Sequence, residues 1–134
     1  MTLLVLDTTF LIDVERGGAS LDAVIDDEDD VAIAAITLAE LQLGVELASK
    51  GRRARRQAYV DEIAEVIPIL PYDVGVAMHH AVLLAAVRRA GTPRGAHDLI
   101  IAATARSGGR TVVSADRTAF EGLPGVSVVD HREA

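Results

Sequence analysis

Residues 3–9 read Leu-Leu-Val-Leu-Asp-Thr-Thr, a short apolar run that ends in one acid and two hydroxyl residues. An unbroken apolar run of this length is typical of a strand that is buried on both faces of a parallel sheet. Similar runs lie at residues 31–36, 66–70, 111–113 and 126–129. Helical patterns lie between them, at about 10–16, 21–28, 38–48, 53–65, 74–90 and 96–107. This alternation predicts an α/β fold with a central, mostly parallel sheet of about five strands flanked by helices.

Four acidic residues stand where these strands end or where the next helices begin: Asp7, Glu40, Asp98 and Asp116. In a parallel α/β protein, such positions gather at one edge of the sheet. Carboxylates gathered there repel each other unless a cation holds them. Mg²⁺ and Mn²⁺ are hard divalent cations that bind through oxygen, and a metal in such a position usually works on phosphate.

Each of these acids also has a purely structural explanation. Asp7 fits the N-cap of a short helix, and Thr37 with Glu40 fits a capping box in which Thr37 is the N-cap. Asp98 complements the dipole of the helix that it opens, and Asp116 fits a turn. No single position decides between the two explanations, but four in one open sheet favour a shared site.

The bulk composition narrows the class of protein further. The chain has 134 residues, which fits a single domain over residues 1–134, and it contains no cysteine and therefore no disulfide or thiolate metal site. No apolar run reaches the ~18 residues of a membrane span. Asp7 interrupts the first apolar run and no basic segment precedes it, so we expect no signal peptide and a cytoplasmic location. The last acids, Asp130 and Glu133, are expected in a frayed tail.

The charge distribution is uneven along the chain. The net charge of −7 argues against a protein that binds nucleic acid over its whole surface. An acidic run occupies residues 26–30 and a basic run, Lys-Gly-Arg-Arg-Ala-Arg-Arg, occupies residues 50–56. Either run can be a solvated loop or helix face, and the basic one can also contact a phosphate backbone.

Four motifs in sequence order resemble the PIN-domain ribonucleases, and among them the VapC toxins of bacterial toxin–antitoxin pairs. They are Leu-Asp-Thr-Thr-Phe-Leu-Ile at 6–12, Ile-Thr-Leu-Ala-Glu-Leu-Gln-Leu-Gly at 36–44, His-Asp-Leu-Ile-Ile-Ala-Ala-Thr-Ala at 97–105, and Val-Val-Ser-Ala-Asp-Arg-Thr-Ala-Phe at 112–120. Leu-Pro-Gly-Val at 123–126 follows them. The resemblance spans nearly the whole chain and implies a PIN-like fold.

The resemblance also implies a function and a set of site residues. It implies a Mg²⁺- or Mn²⁺-dependent endoribonuclease toxin that hydrolyses RNA with a metal-activated water and leaves a 5′-phosphate. The metal ligands and catalytic acids are then Asp7, Glu40, Asp98 and Asp116. Thr8, Thr9 and Ser114 fit the hydroxyl positions that support the acids in this family. His97 is less typical of its position, and it is interpreted as a partly exposed histidine at the helix start, with contact to the substrate as the alternative. A homodimer and a cognate VapB-type antitoxin are the implied protein partners.

Candidates for contacts with the RNA backbone are basic residues: Arg52, Arg53, Arg55, Arg56 and Arg94, with Lys50, Arg88 and Arg89 as further candidates. The chain has only two tyrosines, two phenylalanines and no tryptophan. Because stacking along a generic single strand needs aromatic side chains, their scarcity favours a folded target such as a tRNA or a ribosomal RNA loop.

Two alternatives remain open from the residues alone. One is a phosphatase-like or receiver-like metal-binding domain, but Thr9 stands where the phosphatase pattern needs a second Asp. A receiver needs a lysine after its fifth strand, and Lys50 is the only lysine. The other is a non-catalytic binding module, which the loss of one of the four acids would favour, and none is missing.

Overall fold

The computed structural model describes residues 1–131, apart from the side chains of Ala23 and Val24. The strands are β1 (Leu3–Leu6), β2 (Asp30–Ala34), β3 (Ile69–Leu70), β4 (Thr111–Ser114) and β5 (Ser127–Asp130). The helices are α1 (Thr8–Glu15), α2 (Leu21–Val24), α3 (Ala35–Glu46), α4 (Lys50–Val66), α5 (Val74–Ala90) and α6 (Ala96–Ser107), and a 3₁₀ turn covers Arg117–Ala119. The predicted α/β class is therefore confirmed.

The five strands form one parallel sheet in the order β3-β2-β1-β4-β5. The first strand of the chain is thus the middle strand of the sheet. Its register against β4 pairs Leu6 with Val113, so both strands end at the same edge. Pro68 leads into β3, an edge strand, which is where a strand tolerates a missing backbone N–H.

Alternate side chains of the central strands enter two separate cores, one on each face of the sheet. Val5 and Val112 pack with α5 and α6, while Leu4, Leu6 and Val113 pack with α1, α3 and α4. Both faces are covered, which explains why these strands read as continuous apolar runs. The polar residues that follow β1 and β4 lie at the sheet edge where these two strands end.

The bounds of several predicted elements differ from the structure. The strand predicted over residues 66–70 covers only Ile69–Leu70, because α4 continues to Val66. Strand β2 ends at Ala34 and α3 begins at Ala35, so the predicted strand over residues 31–36 is two residues too long. Helix α2 ends at Val24, although the pattern had predicted a helix to residue 28. Asp73 caps α5 through a bond from Val76 N, and Gly91 ends that helix in the left-handed conformation.

The expectation of a frayed tail was wrong for Asp130. Asp130 pairs with Ser114 at the end of β5 and is buried. His131 is also buried, with its ring 5.0 Å from that of Phe10 and its Nε2 3.1 Å from Asp13 Oδ2. The chain is therefore fixed to α1 up to this point, and Glu133 lies outside the described residues. Among residues 1–131, no helix is long and apolar enough to cross a membrane.

Candidate active site

Asp7 lies at the end of β1 and is almost fully buried. It is the N-cap of α1, because its Oδ1 accepts a 2.9 Å hydrogen bond from Phe10 N. Ser114 Oγ donates a 2.6 Å bond to Oδ2, and Thr9 Oγ1 lies 2.9 and 3.0 Å from the two carboxylate oxygens. Asp7 is therefore both the N-cap of α1 and one of the predicted site acids, and three hydrogen-bond donors fix the direction of its carboxylate.

Glu40 lies on the second turn of α3, between two partners. Thr8 Oγ1 donates a 2.7 Å hydrogen bond to Oε1, and His97 Nδ1 lies 3.3 Å from Oε2. The predicted capping box was wrong, because the N-cap of α3 is Ala34, which makes no side-chain cap bond. Thr37 is instead a fully buried residue of the helix, with its Oγ1 3.5 Å from that of Thr8. Residues three apart share a helix face, so this spacing directs Thr37 and Glu40 together toward Thr8 at the start of α1.

Asp98 lies in the first turn of α6, as predicted, and the N-cap of that helix is Gly95. A Cβ atom at Gly95 would stand only 2.8 Å from Asp98 Oδ2, which is closer than real Cβ contacts. Position 95 must therefore lack a side chain for Asp98 to keep this position. The carboxylate folds back over the start of the helix, where the dipole favours negative charge.

Asp116 follows β4 and precedes the 3₁₀ turn, as predicted, and it is exposed. Its backbone N donates a 2.8 Å bond to Ser114 Oγ, and Thr118 Oγ1 donates a 2.7 Å bond to its Oδ1. Ser114 therefore connects two of the four acids, since the same hydroxyl donates to Asp7 and accepts from Asp116.

The charge of Asp98 interacts with the charges of the other three acids. Burial raises the pKa of Asp98 above its ordinary value, and the neighbouring charges of Glu40 and Asp116 raise it further, while His97 lowers it. Burial also raises the pKa of Asp7, against the hydrogen bonds from Ser114, Phe10 and Thr9, and the charge of Asp98 adds to the rise. The fold thus brings all four predicted acids to one edge of the sheet.

The donor set suits a hard divalent cation. It consists of carboxylate oxygens supported by hydroxyl groups, and burial disfavours the charged forms of Asp7 and Asp98, which a bound cation would offset. Within the described part of the chain, no three carboxylate or imidazole groups already converge as metal ligands. Coulombic influence reaches further than the ~2.0–2.1 Å of a Mg²⁺–oxygen bond, so the charge interactions of Asp98 with Glu40, Asp116 and Asp7 show that these acids are neighbours without showing a formed metal site.

The basic residues are distributed differently from the acids. Helix α4 exposes Arg52, Arg53 and Arg55, and Arg53 forms a 2.9 Å ion pair with Glu46. Arg56 is half-buried, and its Nη1 donates a 3.2 Å bond to Gly44 O. Arg94 donates to the carbonyl oxygens of Thr118 and Glu121, at 3.0 and 2.8 Å. Arg94 therefore fastens the loop before α6 to the turn after Asp116.

Several residues of the site had not been predicted to belong to it. Thr37 had been interpreted only as a cap, and Gly95 and Thr118 had been given no role. Gly95 could have been found, because a glycine three residues before an acid leaves room for that side chain at a helix start. His97 is exposed at the start of α6, as predicted, and its contact with Glu40 had not been foreseen.

The family model for the PIN domain matches residues 4–125. The chain belongs to the PIN domain family. It is 35% identical over 100 residues to the tRNA(fMet)-specific endonuclease VapC of Salmonella typhimurium, a match that covers 75% of this chain and 74% of that protein. It is also 35% identical over 127 residues to ribonuclease VapC5 of Mycobacterium tuberculosis, across 94% of this chain and 91% of that protein.

The solved structures agree with the sequence comparison. This PIN domain superposes on a chain in the crystal structure of DNA-bound VapBC from Salmonella typhimurium with a TM-score of 0.85 and 29% identity. The match covers 98% of this chain and 99% of that one. The resemblance to the VapC proteins is confirmed, and the PIN domain family replaces the phosphatase and receiver alternatives.

Proposed function

We propose that this PIN domain is a metal-dependent endoribonuclease and the toxin of a toxin–antitoxin pair. The observation that carries the proposal is the gathering of Asp7, Glu40, Asp98 and Asp116 at one sheet edge, where Asp98 feels the charges of its neighbours. The names of the relatives support it, since they include ribonucleases and a tRNA-specific endonuclease.

In this proposal the four acids hold one or two Mg²⁺ or Mn²⁺ ions. A bound divalent cation lowers the pKa of water and neutralises charge on the phosphate oxygens and the leaving oxygen. The chain's own contribution is to keep the carboxylates charged and aimed. Ser114, Thr9 and the Phe10 N–H favour the ionised form of Asp7, and Thr8 and Thr118 orient Glu40 and Asp116.

The product and substrate follow from the same chemistry. Hydrolysis by an activated water needs no 2′-hydroxyl attack and leaves a 5′-phosphate, so selectivity for RNA comes from shape and contacts outside the reacting bond. A folded RNA such as a tRNA is the proposed substrate class. Arg52, Arg53 and Arg55 on the exposed side of α4 are proposed to meet its backbone.

The proposed partners are a VapB-type antitoxin and a second copy of the chain. The structural relatives are described as VapBC, which supports the first of these. A single domain over residues 1–134 and a cytoplasmic location also stay predictions.

The test is cleavage of total cellular RNA by the purified protein with Mg²⁺ or Mn²⁺. We expect discrete fragments with 5′-phosphate ends, lost in EDTA and in Asp98→Ala. Glu65→Ala is a matched control, because it removes a carboxylate from an exposed face of α4. RNA that stays intact with metal, in a protein that binds that metal, would reject the nuclease in favour of the non-catalytic alternative.

A further inference from the structure

A cavity of about 130 Å³ lies beside Glu40, between α1, α3 and α4. Glu40 belongs to its wall, so the cavity adjoins the proposed reaction site. Glu15, Arg16, Arg56 and Tyr59 line the rest of the opening. Its size is close to that of an apolar cavity of about 150 Å³ that binds one benzene molecule, which is the scale of one ring system and not of a folded RNA segment.

Gly44 explains why this space exists. It lies inside α3 and lines the cavity, and a Cβ atom built on it would meet nothing within 4 Å. A glycine inside a helix lowers stability relative to alanine, and here no packing within the described chain requires it. The missing side chain instead enlarges the cavity next to Glu40. Arg56 reinforces the wall, because its Nη1 donates to the Gly44 carbonyl and holds the guanidinium there.

The chemistry of the lining discriminates between ligands. Two arginines and two glutamates leave the cavity without formal net charge, which is a poor match for a lone phosphate. The same groups place donors beside acceptors, and the floor is apolar, with Leu41 and Val60 buried. A nucleobase has this character, with flat apolar faces and an edge of donors and acceptors. Guanine fits best, because arginine donates to its O6 and N7 and a carboxylate accepts from its amino group.

We propose that this cavity receives one unstacked base of the RNA substrate, preferentially guanine, next to the phosphate that is cleaved. The proposal rests on the proposed nuclease function and deepens it. Tyr59 supplies an aromatic ring to the cavity wall, and its hydroxyl donates a 2.6 Å bond to Leu11 O, which fixes the ring. The base therefore binds to a surface that is already ordered, and this cavity gives rise to the sequence preference at the cleavage site.

Filling the cavity tests the proposal. Gly44→Leu places a side chain in open space, and Gly44→Ala fills it partly. Gly51→Leu is the matched control, since Gly51 is also a helical glycine with nothing within 4 Å and does not line the cavity. All three variants should fold, with Tm equal to or above that of the wild type. Mg²⁺ binding measured by calorimetry should be unchanged, because the four acids are retained.

The readouts are the cleavage rate on total RNA and the sequences at the new ends. For the wild type and Gly51→Leu we expect one base, guanine, enriched at a fixed position near the cut. Gly44→Leu should cleave at least about tenfold more slowly, the scale of one base contact, and should lose that enrichment. Gly44→Ala should lie between them.

Three results would overturn the proposal. Gly44→Leu that keeps the wild-type rate and enrichment would reject the base site while leaving the nuclease intact. Gly44→Leu that cleaves normally but escapes inhibition by the antitoxin would assign the cavity to a peptide. A wild-type protein that binds metal but cleaves no RNA would reject the nuclease itself, and the base site with it.

Discussion

Replacing Asp98 by Asn should stabilise the metal-free protein at neutral pH. Asp98 is half-buried and carries charge beside Glu40 and Asp116. Each like-charge pair costs about 0.5–1 kcal/mol at partial exposure. Burial of the charge adds a similar amount, and loss of the favourable helix-dipole interaction subtracts about 0.5 kcal/mol. The net gain is about 1–2.5 kcal/mol, or about 3–12 °C in Tm for a chain of this size.

The gain should depend on pH with a defined sign. The pKa of Asp98 is raised in the folded protein, so folding favours its protonated form. At a pH below the unfolded value of 3.8 the carboxyl is neutral in both states, and the wild type then has no charge penalty relative to the Asp98→Asn variant. As the pH rises through the raised pKa the penalty develops, and it is complete above that value.

Thermal melts in EDTA at several pH values provide the assay. The Asp98→Asn gain should be near zero at about pH 3.5 and full at neutral pH. With Mg²⁺ the order should reverse, since a ligand at 100 times its Kd stabilises the folded state by about 2.7 kcal/mol and the variant has lost a metal-binding carboxylate. Glu65→Gln, on an exposed face of α4, should show neither effect. A Tm of Asp98→Asn below that of the wild type in EDTA at neutral pH would refute the reasoning.

Three further perturbations follow from the same contacts. Ser114→Ala removes the 2.6 Å bond to buried Asp7 and should cost about 1.5–3 kcal/mol in urea unfolding at neutral pH, whereas exposed Ser127→Ala should cost little. Gly95→Ala should displace Asp98 and weaken Mg²⁺ binding by calorimetry; unchanged affinity would contradict the close contact. The exposed arginines of α4 are Arg52, Arg53 and Arg55. Neutralising them should lower the slope of log K against log salt by about 0.7 per lost phosphate contact. An unchanged slope would show that this segment does not contact the RNA.

Much of the site could be predicted because its acids follow buried strands. A strand covered on both faces must be apolar throughout, so Asp7 and Asp116 stand out as the first charges after such runs. Glu40 was found for a partly wrong reason. Thr-x-x-Glu spacing satisfies both a capping box and a shared helix face, and the true N-cap, Ala34, has no polar side chain that would have marked it.

The hydrogen bonds within the site could not be predicted, because they depend on which strands are neighbours. Ser114 and Asp7 are 107 residues apart in the chain, and they meet only because β4 pairs with β1. Hydrophobic periodicity identifies strands but does not order them. The cavity beside Glu40 has the same origin, since it needs α1, α3 and α4 to surround one glycine.

Because β1 is the middle strand of the sheet, it cannot be paired on both sides until β4 has been translated. Strand β4, which pairs with β1 and carries Ser114, is made 107 residues after Asp7, at translation rates of about 5–20 residues per second. For about 5–20 s, each nascent chain carries Asp7 without the Ser114 hydroxyl and without β4 beside it. A ribosome that translates this protein is therefore next to an unfinished nuclease, and the cell has that interval to supply whatever restrains the finished one.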